Sequence, residues 1–120
     1  MVLIKEITDD HVTFAPNGRI VVRNHPLGHR SVMVIRRESC PWCVKAKAAY
    51  EDLASKDAGP AVVYVVDMEN PRCQTLVNTF KPNGVPSWYR VNPVGRLDRE
   101  EYNLDWQEPA AFLRAIERKS

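Results

Sequence analysis

Ser31-Val32-Met33-Val34-Ile35, Arg36-Arg37-Glu38-Ser39, Cys40-Pro41-Trp42-Cys43, Val44-Lys45-Ala46-Lys47-Ala48-Ala49-Tyr50: this stretch decides the fold. The opening apolar run has the continuous character of a strand buried on both faces. The closing run reads as a helix. Two cysteines spaced Cys-x-x-Cys, at the start of a helix that follows a strand, read as a redox pair. Two intervening residues let the sulfurs meet in a small ring, while the first thiol stays at the exposed helix end. The unpaired N–H groups and positive dipole end of a helix N-terminus favour thiolate over thiol. In such settings a cysteine pKa falls from ~8.5 into the ~3.5–7.5 range. Cys40 is the candidate nucleophile. Cys43, about a turn further in, is the candidate resolving thiol. Pro41 suits the first turn, because its missing N–H would be unpaired there in any case.

Two blander readings compete. Cys-x-x-Cys can be half of a zinc site, but that needs a second Cys/His pair. Cys73 stands alone, and His11, His25 and His29 all precede the motif without finger-like spacing. No metal is therefore expected. A purely structural disulfide is the other alternative, and a loop this short is a poor staple.

A chain of 120 residues is enough for one domain with its own core and too short for two. Its 44% apolar and 27% charged residues are ordinary for a globular protein, which sets aside disordered and fibrous classes. Lys and Arg number 17 against 15 Asp and Glu, a net charge of +2. That balance does not itself argue for an anionic partner, and neither nucleic acid nor membrane is expected as one. Met1 to Glu6 lacks the basic region and long apolar run of a signal peptide. No stretch reaches the ~18 apolar residues of a membrane span. Three cysteines do not make a disulfide scaffold. A reducing, cytoplasmic setting and a monomeric state are the expectations.

Met1 to Ile7 reads as a strand or a loose arm. His11 to Ala15 and Arg19 to Arg23, joined through Pro16-Asn17-Gly18, read as a β-hairpin whose Asn-Gly supplies positive φ angles. Asn24 to Arg30 is a loop, and the three histidines are expected to be surface or loop residues rather than ligands. The helix after Cys43 should run to about Ser55, with Val44, Ala48 and Leu53 on its apolar side, and Lys56 to Pro60 should end it. Ala61 to Val66 is the clearest strand. Asn70 as cap and Pro71 at the first helical position start a second helix through about Phe80. Cys73 within it reads as a packing residue. Val85 to Val91 is a strand with a proline at its mouth. Asn92-Pro93-Val94-Gly95 is a turn, and Arg96 to Tyr102 pairs back. Asp105 to Glu108 has capping-box spacing before a last helix to about Lys119, with Phe112, Leu113 and Ile116 inward. From Ser31 the order is β–α–β–α–β–β–α. That order predicts an α/β domain: a right-handed parallel unit extended by an antiparallel hairpin, one mixed sheet with helices on its faces.

From Ser31 to Ser120 the chain resembles the thioredoxin superfamily, and residues 1–30 add an N-terminal β-hairpin extension. Two motifs carry the resemblance: Cys40-Pro41-Trp42-Cys43 between strand and helix, and Val85-Pro86 before the closing hairpin. It implies a cis Pro86 lying against the cysteine pair, and backbone groups of Val85 offered to an extended substrate. Pro-Trp followed by Val44-Lys45-Ala46-Lys47 is similar to the glutaredoxin pattern. Arg37 falls where glutaredoxins place a basic residue for a glutathione carboxylate. Gly84-Val85-Pro86, and Asn92 to Arg96 without a Gly-Gly pair, are more similar to thioredoxins. Ser39 stands where thioredoxins have a Trp, and Val34 where they bury an acid.

The resemblance implies a thiol–disulfide oxidoreductase acting on protein or small-molecule disulfides, with no cofactor, recycled by a reductase or by glutathione. Candidate site residues are Cys40 and Cys43, with Trp42, Val85, Pro86 and Arg37 on the substrate side. Trp42 reads as a contact platform and Trp88 as core. The alternatives are a non-catalytic peptide-binding module, and a glutathione- or iron–sulfur-binding glutaredoxin-like protein.

Overall fold

The computed structural model describes residues 2–26, 28, 30–55 and 61–116. The strands are β1 (Val2–Glu6), β2 (Val12–Phe14), β3 (Ile20–Val22), β4 (Ser31–Arg36), β5 (Ala61–Asp67), β6 (Ser87–Val91) and β7 (Leu97–Glu101). The helices are α1 (Pro41–Ala54), α2 (Gln74–Phe80) and α3 (Pro109–Ala115). Five strands form one sheet in the order β1-β5-β4-β6-β7, while β2 and β3 pair separately. β1, β5 and β4 run parallel, and β6 and β7 run antiparallel to their neighbours. The segment left open between strand and arm is thus an edge strand of the main sheet. The mixed sheet, flanked by helices, is the architecture expected from the strand–helix order.

The uninterrupted apolar runs have the cause anticipated for them. Alternate residues of β4 enter two separate cores. Val32 and Val34 pack with Val63, Val65, Trp88 and the buried sides of α1 and α3. Met33 and Ile35 pack with Val62, Tyr64, Leu76 and Phe80, beneath α2 and the β2–β3 hairpin. Trp88 is core, edge-on to Phe112 with ring centroids 5.3 Å apart. Cys73 is buried, its thiol donating to the Ile7 carbonyl at 3.4 Å, as a packing residue would.

Four local expectations need correction. In α1 the buried residues are Cys43, Ala46, Tyr50 and Leu53, whereas Val44 is 58% exposed. Alanines and valine occur on both sides of this helix, so composition alone did not set its phase. Leu113 is 38% exposed, because only Phe112 and Ile116 of α3 point at the sheet. The cap of α3 is Glu108, which accepts from the Ala110 amide, rather than Asp105. His25 lies in the loop, as expected, but not at the surface: it is only 7% exposed and hydrogen-bonds Tyr64 Oη through Nδ1 at 2.7 Å. His11 is exposed as expected. His29, Lys56 to Pro60 and the last residues of the final helix lie outside the described residues.

The two hairpin turns share one design. In the first, the Ala15 amide donates to the Arg19 carbonyl and the Gly18 amide to the Ala15 carbonyl. In the second, Asn92 donates to Arg96 and Gly95 to Asn92 in the same way. Each is a three-residue loop ending in a positive-φ glycine, Gly18 at +84° and Gly95 at +90°. Asn17 is not in the positive-φ region, so of the Asn-Gly pair only Gly18 supplies the positive φ expected of it. The second turn also docks the hairpin on the sheet: the Val22 amide donates to the Gly95 carbonyl at 2.9 Å, and Val21 bridges Arg96.

Gly95 has no room for a side chain. A Cβ there would lie 2.8 Å from both the His25 Cβ and the Val22 carbonyl oxygen. At Gly18 a Cβ would meet nothing. Gly18→Ala should cost only backbone strain, ~1–3 kcal/mol. Gly95→Ala adds ~1–3 kcal/mol of overpacking against backbone that cannot swing away. Urea denaturation of the two variants checks this; equal midpoints would show that the docked hairpin yields freely.

Candidate active site

Three neighbouring elements deliver the site. The end of β4 leads through Arg37 to Cys40, which is the N-cap of α1. β6 lies antiparallel beside β4, with Ile35 opposite Ser87. The residues just before Ser87, Val85 and Pro86, are thereby held beside the cysteine loop. The Val85–Pro86 bond is cis, as expected. The Cys40 thiol donates to the Val85 carbonyl at 3.7 Å. Ser87 closes the turn from the other side, its hydroxyl donating to the Gly84 carbonyl.

The cysteines are thiols in different surroundings. Cys40 is half-exposed, and Cys43, one turn into the helix, is 3% exposed. The Cys43 amide, at the open start of α1, holds the Cys40 thiol below its ordinary range. The Cys43 thiol, the Trp42 amide and the Arg37 charge act in the same direction. Burial pushes Cys43 the other way, up to about 11. The Arg37 amide donates to the Cys43 sulfur at 3.5 Å, which offsets only part of that rise. One accessible thiol is biased towards thiolate, and its buried partner towards the protonated thiol.

Val34, where the resemblance implies an acid in related proteins, is fully buried in the core under α1 and α3. The charge near Cys43 is positive: Arg36 favours its thiolate. Arg36 is tethered to Glu6 at 3.0 Å. Arg37 is exposed and lies against Met68 Sδ at 3.7 Å and Glu69 at 4.0 Å. It therefore flanks the cysteine loop with an acidic neighbour already beside it. Among the described residues, no three His, Cys, Asp or Glu side chains gather as metal ligands would.

Trp42 is 54% exposed beside Cys40. Trp106, from the segment before α3, meets it edge-on with centroids 6.4 Å apart, and Lys45 Nζ sits 4.7 Å over the Trp42 ring. Neither Trp106 nor Lys45 was among the candidate site residues. The available signal was an aromatic residue inside an otherwise polar stretch, Asp105-Trp106-Gln107-Glu108.

This architecture is the thioredoxin fold. Among solved structures, the chain is similar to the short form of thioredoxin F from spinach chloroplast, with a TM-score of 0.57 and 20% identity over 83% of this chain and 80% of that one. No model of a known protein family matches the sequence, and no curated protein does.

The asymmetry of the pair has a direct readout. Iodoacetamide added to the reduced protein near neutral pH should label Cys40 first. Its rate should level off at a lower pH than that of an ordinary cysteine, since a lowered pKa brings thiolate in earlier. Cys43 should lag until far more alkaline pH. Peptide mapping by mass spectrometry checks this, and initial labelling of Cys43 or Cys73 would reverse the roles.

Proposed function

We propose that this protein is a thiol–disulfide oxidoreductase, using Cys40 as nucleophile and Cys43 as resolving thiol. The observation that carries this reading is the pairing of an accessible, thiolate-biased Cys40 with a buried Cys43 at a helix start, beside the Val85 carbonyl. The thioredoxin fold supports it. Cys40 thiolate attacks a substrate disulfide, forming a mixed disulfide and expelling one substrate thiolate. Cys43, losing its proton, attacks the Cys40 sulfur and expels the second substrate thiol. Two electrons pass to the substrate, and a Cys40–Cys43 disulfide remains. No metal or organic cofactor takes part in these steps.

The substrate side is read as Trp42, Val85, Pro86 and Arg37. An extended segment of a disulfide-containing protein would lie along the Val85 backbone, with its flank on the Trp42 and Trp106 rings. Among the described residues, no helix is long and apolar enough to cross a membrane. A reducing, cytoplasmic compartment suits a dithiol kept ready to attack, and the chain needs no second copy to complete the pair.

Reduction of insulin disulfides, followed by turbidity, tests the activity. Cys40→Ser should lower it to background. Cys43→Ser should accumulate mixed disulfides on Cys40 that a strong reductant releases. A wild-type protein that binds disulfide peptides but never reduces them would make this a binding module instead.

For recycling, the reading favours a protein reductase over glutathione. Arg37 already has Glu69 and Met68 beside it, so little of its charge is left for a glutathione carboxylate. An exposed ion pair of this kind contributes at most ~1 kcal/mol. Reduction of the oxidised protein should therefore be slow with millimolar glutathione and faster with a thioredoxin-reductase-type donor. Arg37→Ala should change the glutathione rate by less than about fivefold, the factor that ~1 kcal/mol allows. Fast reduction by glutathione that collapses in Arg37→Ala would show a working glutathione site.

A further inference from the structure

At the end of the sheet away from the cysteines lies a cavity of about 830 Å³. The β4–β6 ladder places its Ser31 and Val91 wall at the far end, with Ile35–Ser87 marking the cysteine end, while Tyr102, bonded through its amide to the Trp88 carbonyl, extends the lining back along the sheet. Four strand steps at ~3.3 Å separate the two ends by about 13 Å. The cavity is walled by both hairpin turns, the outer strands and α3. Among the described residues, six arginines line it against a single carboxylate, Asp98, a formal +5 at one place in a chain whose total is +2. The nearly neutral composition conceals this segregation.

We propose that this cavity binds a small molecule bearing two or more phosphate groups, held by Arg19, Arg30, Arg90, Arg96, Arg99 and Arg114. Guanidinium forks match phosphate oxygens bidentately, and a concave wall focuses their field. Among the described residues, none of the six forms a salt bridge with a carboxylate. Asp98 is partly spent within its own strand, where its Oδ1 accepts from the Glu100 amide at 3.0 Å. Several of the cations are pre-positioned. Arg90 stacks on Tyr102 with its guanidinium carbon 3.9 Å from the ring centre. Arg99 lines the cavity with its guanidinium donating to the Thr79 carbonyl of α2 at 3.5 Å, outside the cavity wall. Arg19 and Arg96 each follow the positive-φ glycine of a hairpin turn, and each turn is closed by that residue's own carbonyl. Asn92 stiffens the second turn, its Oδ1 accepting from the Val94 and Arg96 amides at 3.0 and 2.9 Å.

The shape and wall chemistry select among anions. The volume lies within the ~300–1,000 Å³ of small-ligand sites, and a flat bilayer surface would reach only its rim. A strand of nucleic acid gains affinity by stacking bases on open aromatic rings. Tyr102 is the one aromatic residue on this wall, and Arg90 already covers a face of it. A single phosphate would leave most of the positive charge unneutralised, whereas a polyphosphate satisfies it. The inference does not depend on the redox reading.

Isothermal titration calorimetry of the full chain tests it, with inorganic tripolyphosphate and ATP as probes. Oligothymidylate and phosphatidylserine vesicles form the competing arms. One-to-one binding of tripolyphosphate or ATP that weakens with added salt is expected. The exposed-residue variant R30Q/R96Q/R114Q should weaken it at least tenfold, and K45Q/K47Q, at the opposite end, less than twofold. Arg30→Gln and Arg114→Gln singly, each with an unchanged melting temperature, keep the comparison valid if the triple variant misfolds. The proposal is overturned if neither phosphate probe binds at millimolar levels, or if both variants lose binding equally. It is also overturned if the oligonucleotide or vesicles bind and tripolyphosphate does not displace them.

Discussion

The antiparallel pairing of β4 with β6 is the constraint on which the rest depends. β4 is central, paired on one side with β5 and on the other with β6. Its last residues launch the cysteine loop, and the first residue of β6 follows Pro86. With Ile35 opposite Ser87, the Val85 carbonyl comes to the Cys40 sulfur. A slip of one residue would turn Val32, Val34, Trp88 and their alternates to the wrong faces. Both faces are apolar and buried, so such a slip would put rings and branched chains into spaces shaped for others. The packing of the core therefore sets the geometry of the site.

Electrostatics then divides labour between two chemically identical residues. Cys40 sits where the α1 amides are still unpaired, and Cys43 sits one turn deeper, where water is excluded. The same helix start lowers one pKa while burial raises the other. With Val34 in the core under α1, no carboxylate is buried there among the described residues. Burial raises the Cys43 thiol, and the Arg37 amide and the Arg36 charge act the other way.

The N-terminal hairpin does more than extend the chain. Val12, Ile20 and Val22 complete one of the two cores, beneath the same face that α2 covers. Its turn and the β6–β7 turn share a Pro-x-Gly-Arg pattern, Pro16-Asn17-Gly18-Arg19 and Pro93-Val94-Gly95-Arg96. The close approach at Gly95 seats the β6–β7 turn on the end of β3 at Val22, and Arg19 and Arg96 both line the cavity.

The strand–helix order, the mixed sheet and the unequal exposure of Cys40 and Cys43 were legible in the residues, because local rules write them locally. A Cys-x-x-Cys at a helix start and β-branched runs each state their meaning within a few positions, whereas Asn70-Pro71 opens a 3-10 turn and α2 itself starts only at Gln74. Helix geometry alone makes the first cysteine the outer one. The phase of α1, the exposure of Leu113 and the burial of His25 were not legible. Each depends on which neighbour packs against the element, and a helix of mixed Ala and Val offers two plausible faces. Trp106 beside Trp42 is separated from it by more than half the chain, so only folding could join them. The six arginines are likewise scattered from Arg19 to Arg114, and their summed charge is invisible in a balanced composition. Sequence determined the chemistry carried by neighbouring residues; the tertiary structure decided everything that arises from residues meeting across the sheet.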